Sequence, residues 1–265
     1  MMKVQPIKSE HAGSRCTHAD RVGPIRAVSR RAALGGVGAV SAAALFAATH
    51  GDAAAQPIAV PPAPPGKDLT PDQALDLLRQ GNATFLRGEE VTPPSAKRRL
   101  ALAAAQEPFA AYVTCSDSRV PPELLFGRGL GELFIIRNAG NTVDTVALGS
   151  IEYAVAVLQV PLVVVMGHES CGAVKAASDV VTNNAIFPGS IGPMVEPIIP
   201  AVLQARGQPG DSLENAVRQN VRRVVRQLRE HTDPIMLDPQ KEGRLKVVGA
   251  YYSLGTGRVD FFDLP

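Results

Sequence analysis

Two cysteines and one histidine stand close to the points where predicted strands end. Cys115 directly follows an apolar run that ends at Thr114, His168 follows the run Pro161–Met166, and Cys171 comes three residues later. Ligands of open α/β sheets bind beyond the carboxyl ends of the strands, so these side chains could converge on a single ion. Two thiolates and an imidazole suit zinc, and three protein ligands leave a fourth position open, as in catalytic zinc sites.

Two other interpretations compete with a metal site. Cys115 and Cys171 could form a disulfide in an exported protein, and His168 could be a core histidine. The joint pattern favours the metal, because both thiols outside the first 55 residues and one of the two imidazoles there fall near strand ends. Asp117 and Arg119 also lie two and four residues past Cys115.

Five apolar stretches predict the strands that position these side chains. Pro161–Met166 is a continuous apolar run, which is typical of a parallel strand buried on both faces. Gly255-Thr256-Gly257 between the last two stretches favours a hairpin. The pattern predicts an α/β fold with a mainly parallel central sheet flanked by helices and an antiparallel C-terminal edge hairpin. The predicted strands are Pro108–Thr114, Glu132–Arg137, Pro161–Met166, Leu245–Tyr252 and Arg258–Phe262.

Helices are predicted between these strands and before the first of them. Thr70-Pro71-Asp72-Gln73 combines a capping threonine, a proline at the first helical position and a glutamine that can complete a capping box. We predict that the segment 182–207 is irregular, with room for one short helix between its prolines, and that the arginines between 218 and 229 form a solvated helix face. The other main helices are predicted from a capping Thr142 to about Leu158, from Cys171 to Asp179, and from Ser212 to His231 with Asp211 or Ser212 as the cap.

Three motifs together resemble the β-class carbonic anhydrases. They are Cys-Ser-Asp-Ser-Arg-Val-Pro-Pro-Glu at 115–123, Phe-Ile-Ile-Arg-Asn-Ala-Gly-Asn at 134–141 and Gly-His-Glu-Ser-Cys-Gly-Ala-Val at 167–174. The resemblance covers about residues 70–263 and is most specific between 112 and 175. The combination of Cys-x-Asp-x-Arg with His-x-x-Cys is far more specific than either half.

The resemblance implies zinc-dependent, reversible hydration of CO2 to bicarbonate and a proton. One zinc per chain would be bound by Cys115, His168 and Cys171, and its water would ionise near pH 7 to give the attacking hydroxide. Asp117 would orient that hydroxide, and Arg119 would hold Asp117 ionised. In some relatives the aspartate moves onto the zinc in a closed state, so Asp117 is also a candidate ligand.

The sequence leaves alternative functions and the roles of two residues open. The same fold and metal could serve a carbonyl sulfide or carbon disulfide hydrolase, or a non-catalytic metal-binding protein. Glu169 departs from many relatives and either tunes the site or faces solvent, and His231 is a conceivable proton shuttle. The resemblance also implies a homodimer or larger homo-oligomer, with the helix from Thr70 and the Gly255 hairpin as candidate interface elements.

The first 55 residues are predicted to be a cleaved export signal. Ser29-Arg30-Arg31-Ala32-Ala33-Leu34 resembles a twin-arginine signal, an uncharged run extends from Ala32 to Ala48, and Ala53-Ala54-Ala55 would permit cleavage before Gln56. The alternative is a membrane anchor, but a helix of that length rises only about 25 Å and is weakly apolar. We therefore predict a periplasmic or otherwise exported protein.

The remaining chain is predicted to hold a proline-rich linker over 56–69 and a catalytic domain over 70–265. Seven Lys/Arg and three Asp/Glu fall in the leader, which leaves 20 basic and 22 acidic residues in the rest. A nearly neutral body without a basic stripe argues against nucleic-acid binding. Hydrophobic residues make up 45% and charged residues 20% of the chain, which is typical of a globular protein.

Overall fold

The computed structural model describes residues 68–88 and 95–265. The predicted export signal and nearly all of the linker lie outside these residues, so the signal, its cleavage and the anchor alternative remain predictions. Within the described ranges, every helix is too short or too polar to cross a membrane.

A five-stranded sheet forms the centre of the fold. Its order is β2-β1-β3-β4-β5, with β1 to β4 mutually parallel and β5 antiparallel to β4. This confirms the predicted fold class, including the antiparallel edge. The strands are β1 (Ala110–Cys115), β2 (Leu133–Asn138), β3 (Leu162–His168), β4 (Lys246–Tyr252) and β5 (Val259–Asp263).

Burial explains why the central strands are continuous apolar runs. Every residue of β1 and β3 is buried, because helices cover both faces of the sheet, whereas β2 and β5 at the edges are partly exposed. Alternate residues point to opposite faces. Tyr112 and Val164 belong to one apolar cluster, and Val113 and Val165 belong to the other.

Nine α-helices and one 3-10 turn pack around the sheet in the described part of the chain. Residues of α1 and α3 line the first cluster, and residues of α4, α8 and α9 line the second. The helices are α1 (Pro71–Leu86), α2 (Ala96–Leu102), α3 (Pro122–Leu125), α4 (Thr145–Ala156), α5 (Gly172–Asn183), α6 (Ile191–Val195), α7 (Ile199–Ala205), α8 (Ser212–Arg229) and α9 (Pro234–Lys241), with the 3-10 turn at Glu196–Ile198.

The helix starts were predicted with mixed success. The capping box of Thr70 and Gln73 is confirmed, and Asp211 caps α8. The prediction that Thr142 caps α4 is wrong, because Asp144 accepts the N–H of Ala147 at 2.8 Å instead. Thr142 is held in the preceding turn, where the Asn138 side chain binds both its N–H and its carbonyl oxygen.

Two further expectations need correction. The segment predicted to be irregular with at most one short helix contains more helical structure, namely α6, the 3-10 turn and α7, which pack against α5 and α8. The arginines of α8 are also not simply solvated. Arg218 lies over the rings of Tyr251 and Phe262, and Arg229 donates to the carbonyl oxygen of Val247, so both tie α8 to the sheet.

Replacing Asn82 by Ala should destabilise the fold by about 2–4 kcal/mol. This side chain is 5% exposed, donates to the carbonyl oxygens of Leu125 (3.3 Å) and Gly257 (3.0 Å), and accepts the N–H of Val259 at 2.9 Å. Its loss leaves three backbone groups unpaired between α1, α3 and β5. Urea unfolding would measure the change, with the exposed Gln80→Ala as control; equal midpoints for the two variants would contradict the prediction.

Candidate metal centre

The three predicted ligands come together at the carboxyl edge of the sheet. Cys115 is the last residue of β1, His168 is the last residue of β3, and Cys171 is the N-cap residue of α5. All three are buried, and their potential ligand atoms lie within 4.8 Å of one another. The two Sγ atoms are 4.0 Å apart and both thiols are free, so the disulfide interpretation is not supported.

The His168 ring shows that this cluster fits a metal ion. Its Nδ1 lies 2.8 Å from the carbonyl oxygen of Glu169, and its buried Nε2 has no hydrogen-bond partner among the described residues. A carbonyl oxygen only accepts, so Nδ1 carries the proton and Nε2 keeps a lone pair. A buried nitrogen lone pair beside two sulfur atoms is a donor set that suits zinc.

Hydrogen bonds polarise the thiol pair. The hydrogen bond with the Cys171 thiol, together with that from the N–H of Gly140, lowers the pKa of the Cys115 thiol. The same contact and burial raise the pKa of the Cys171 thiol. The pair therefore favours one thiolate at Cys115, which is the ionised form that a metal requires.

Asp117 and Arg119 form a bidentate ion pair directly after this cluster. Arg119 donates from Nε to Oδ1 at 2.9 Å and from Nη2 to Oδ2 at 2.7 Å, and its backbone N–H also donates to Oδ1 at 2.9 Å. These bonds hold the pKa of the Asp117 carboxyl well below its usual range. Asp117 is not part of the cluster formed by Cys115, His168 and Cys171. Its carboxylate is hydrogen-bonded to Arg119 instead.

Sequence reasoning assigned no role to several groups that shape the loops at this site. Arg137 donates to the carbonyl oxygens of Cys115 (3.0 Å) and Asp117 (2.6 Å), which fixes the loop between them. The buried Asn220 donates to the carbonyl oxygen of Gly140 at 2.8 Å. Arg137 lies within one of the motifs that carry the resemblance, so the sequence did contain a signal for its role. Asn220 lies on α8, far away in the chain, and no sequence pattern connected it with the site.

Gly140 is required by the close packing beside Cys115. Its φ is +80°, and an added Cβ would lie 2.5 Å from Cδ1 of Ile198. Its N–H points to the Cys115 Sγ at 3.4 Å. A larger residue would therefore displace the donor to the thiolate as well as strain the turn.

The structure also shows the surroundings of Glu169 and His231, whose roles the sequence left open. Glu169 is half-buried and accepts hydrogen bonds from the Gly255 N–H and the Ser253 hydroxyl, which lower the pKa of its carboxyl. It does not simply face solvent. His231 lies just past Arg229, whose partner Val247 is near the amino end of β4, opposite the metal ligands, so the structure does not support a proton-shuttle role for His231.

Comparisons with known proteins agree with this geometry. A family model described as carbonic anhydrase matches residues 110–259, a range that contains all five predicted site residues. A carbonic anhydrase of Mycolicibacterium smegmatis is 40% identical over 191 residues, covering 72% of this chain and 92% of that protein. Carbonic anhydrase 2 of Mycobacterium tuberculosis is 39% identical over 197 residues, covering 74% and 95%.

Solved structures give the same result. One of two tetrameric β-carbonic anhydrases from Sordaria macrospora superposes with a TM-score of 0.55 at 27% identity, covering 62% of this chain and 85% of that one. The β-carbonic anhydrase CafA of Aspergillus fumigatus superposes with a TM-score of 0.56 at 29% identity, covering 72% and 90%.

Proposed function

Because the chain belongs to the β-class carbonic anhydrase family, we propose that Cys115, His168 and Cys171 hold one zinc ion and that Asp117 and Arg119 assist the reversible hydration of CO2. The observation that carries this proposal is the cluster of two free thiols and an unpaired imidazole nitrogen next to an ionised carboxylate.

The chemistry divides between the metal and the chain. When bound, zinc lowers the pKa of a water molecule to about 7 and so supplies hydroxide at neutral pH. The chain provides the three ligands, and the carbonyl oxygen of Glu169 keeps His168 in the tautomer that leaves Nε2 free.

Asp117 directs the attack on CO2. Its carboxylate accepts the hydrogen bond of the attacking oxygen, which turns a lone pair toward the carbon. Arg119 keeps that carboxylate ionised and fixes its orientation through two parallel hydrogen bonds. The products are bicarbonate and one proton per CO2 and water consumed.

Stopped-flow hydration of CO2 by the zinc-loaded full chain tests this function. The relatives compared above are named carbonic anhydrases, which supports CO2 over carbonyl sulfide or carbon disulfide. The Asp117–Arg119 pair also argues against a protein that only stores metal, since storage does not need it. We expect zinc-dependent hydration of CO2 and no release of hydrogen sulfide when the substrate is carbonyl sulfide. Release of hydrogen sulfide without hydration of CO2 would contradict the proposal.

We also propose that the enzyme is a homo-oligomer, at least a dimer. The Sordaria macrospora relatives are tetrameric. Val146 and Tyr153 of α4 and its C-cap residue Val157 are exposed. The centroid of the Tyr153 ring lies 6.1 Å from that of Phe134 on the edge strand β2. They join α1 and the Gly255 hairpin as interface candidates, and the apolar face of α1 also packs on its own sheet. Light scattering that gives the mass of a monomer would contradict this proposal.

Export through a twin-arginine route completes the proposal. The motif at 29–34, the uncharged run after it and the small residues before Gln56 support it. Replacing both Arg30 and Arg31 by Lys should retain the protein in the cytoplasm at its full mass, while Arg26→Lys should not. The exported protein should begin near Gln56, with the catalytic domain over 70–265; an unprocessed exported chain would contradict the cleavage site.

A further inference from the structure

Residue 169 is bound at three points to the hairpin between β4 and β5. Its Oε2 accepts the Ser253 hydroxyl at 2.9 Å and the Gly255 N–H at 3.3 Å. Its own N–H donates to the carbonyl oxygen of Tyr252 at 2.8 Å. The backbone bond extends the β3–β4 pairing past His168, and the two carboxylate bonds fix the same residue to the hairpin loop.

The same residue also holds the imidazole of the metal site. The carbonyl oxygen of Glu169 accepts from Nδ1 of His168 at 2.8 Å. The position of this oxygen therefore sets both the ring orientation and the tautomer, and it leaves Nε2 as the nitrogen with a lone pair.

The turn from Glu169 to Cys171 contains a residue with a positive φ and an N-cap without a side-chain hydrogen bond. Ser170 has a φ of +56°, a left-handed conformation that is unfavourable for a residue other than glycine. Cys171 caps α5 without a side-chain hydrogen bond to the helix. Because this turn contains a left-handed residue, the hydrogen bonds between Glu169 and the hairpin help to hold its conformation.

We infer that Glu169 is a positioning residue of the metal centre: its carboxylate anchors the 169 peptide to the Ser253–Gly255 hairpin and so holds the carbonyl oxygen that orients His168. This inference rests on the proposed zinc site. Glu169 is not part of the cluster formed by the three ligands, so it acts through His168 and not on the ion itself.

Three substitutions test the inference in the full chain. Glu169→Ala removes both bonds to the hairpin, and it leaves no buried void because the side chain is half-buried and lines a surface cavity of about 700 Å³. Glu169→Gln keeps an oxygen that can accept both donors. Ser253→Ala removes one donor only. Asp233→Ala is the control, since this exposed carboxylate also accepts a backbone N–H, at 2.9 Å from Ile235, outside the metal site.

The readouts are the zinc dissociation constant, from competition with a chromogenic chelator, and the visible spectrum of the Co(II)-substituted protein. We expect Glu169→Ala to weaken zinc binding about 10- to 100-fold and to change the Co(II) spectrum, because substitutions behind a metal ligand typically have this effect. Glu169→Gln should lose less than about tenfold, Ser253→Ala should fall between the two, and Asp233→Ala should match the wild type.

The outcomes separate this inference from the proposed function. Wild-type affinity and spectrum in Glu169→Ala would overturn the inference while leaving the zinc site intact. A lower melting temperature with unchanged affinity and spectrum would assign Glu169 a structural role only and would also overturn it. A wild-type chain that binds no zinc would instead overturn the proposed function itself.

Discussion

The Cys171→Ser protein is expected to lose its zinc and to hydrate CO2 more than about 100-fold more slowly than the wild type. Substitutions behind a metal ligand already cost about 10- to 100-fold, so losing a direct ligand should cost more. Cys171 is fully buried, and its Sγ lies 4.0 Å from that of Cys115. The hydroxyl of serine is a poorer zinc ligand than a thiolate.

This substitution should leave the fold intact, which makes its result interpretable. Position 171 is the N-cap of α5, and serine is among the preferred N-cap residues. Metal analysis of the purified protein and stopped-flow hydration would measure the two losses, with the melting temperature as a check on folding. Cys16→Ser, compared in the same uncleaved full chain, is the matched control and should keep zinc and activity. One zinc per chain with full activity in Cys171→Ser would contradict the assigned ligand set.

Asp117→Ala is expected to retain zinc but to lower kcat/KM for CO2 hydration about 10²- to 10⁴-fold. The carboxylate accepts two hydrogen bonds from the Arg119 guanidinium, at 2.9 and 2.7 Å, and lies outside the ligand cluster. Its removal should therefore affect the orientation of the attacking oxygen and not the binding of the metal.

A variant of Arg119 and a control on α1 refine the prediction for Asp117→Ala. Arg119→Lys keeps the positive charge but cannot make the paired hydrogen bonds, so its loss should be smaller than that of Asp117→Ala. Asp76→Ala removes another aspartate–arginine pair, an exposed one on α1, and should leave hydration unchanged. Full wild-type hydration by Asp117→Ala with zinc bound would remove the proposed role of the carboxylate.

The strands could be predicted because their burial follows directly from sequence. The run Pro161–Met166 has no charged residue, and the structure has β3 at Leu162–His168, two residues longer at its end. The start of α4 could not be predicted in the same way. Thr142 and Asp144 are both good caps, and the choice depends on the Asn138 side chain, which holds Thr142 in the turn.

The ligand set was predictable because the carboxyl ends of parallel strands lie at one edge of the sheet, where Cys115 and His168 could converge, and because the motifs around them resemble a known family. That β1 and β3 are neighbours is seen only in the structure. The supporting contacts were not predictable, since they join residues far apart in the chain. Asn220 reaches Gly140 across 80 positions, and Ser253 reaches Glu169 across 84. Only the packing of α8 and of the β4–β5 hairpin brings these partners to the site.

X-ray absorption at the zinc edge, recorded on the active enzyme, tests the central claim most directly. We predict one zinc per chain with two sulfur neighbours and two lighter neighbours, one from His168 and one from solvent. A different number of sulfur neighbours, or an active protein in which Cys115 and Cys171 are joined in a disulfide, would contradict the assignment.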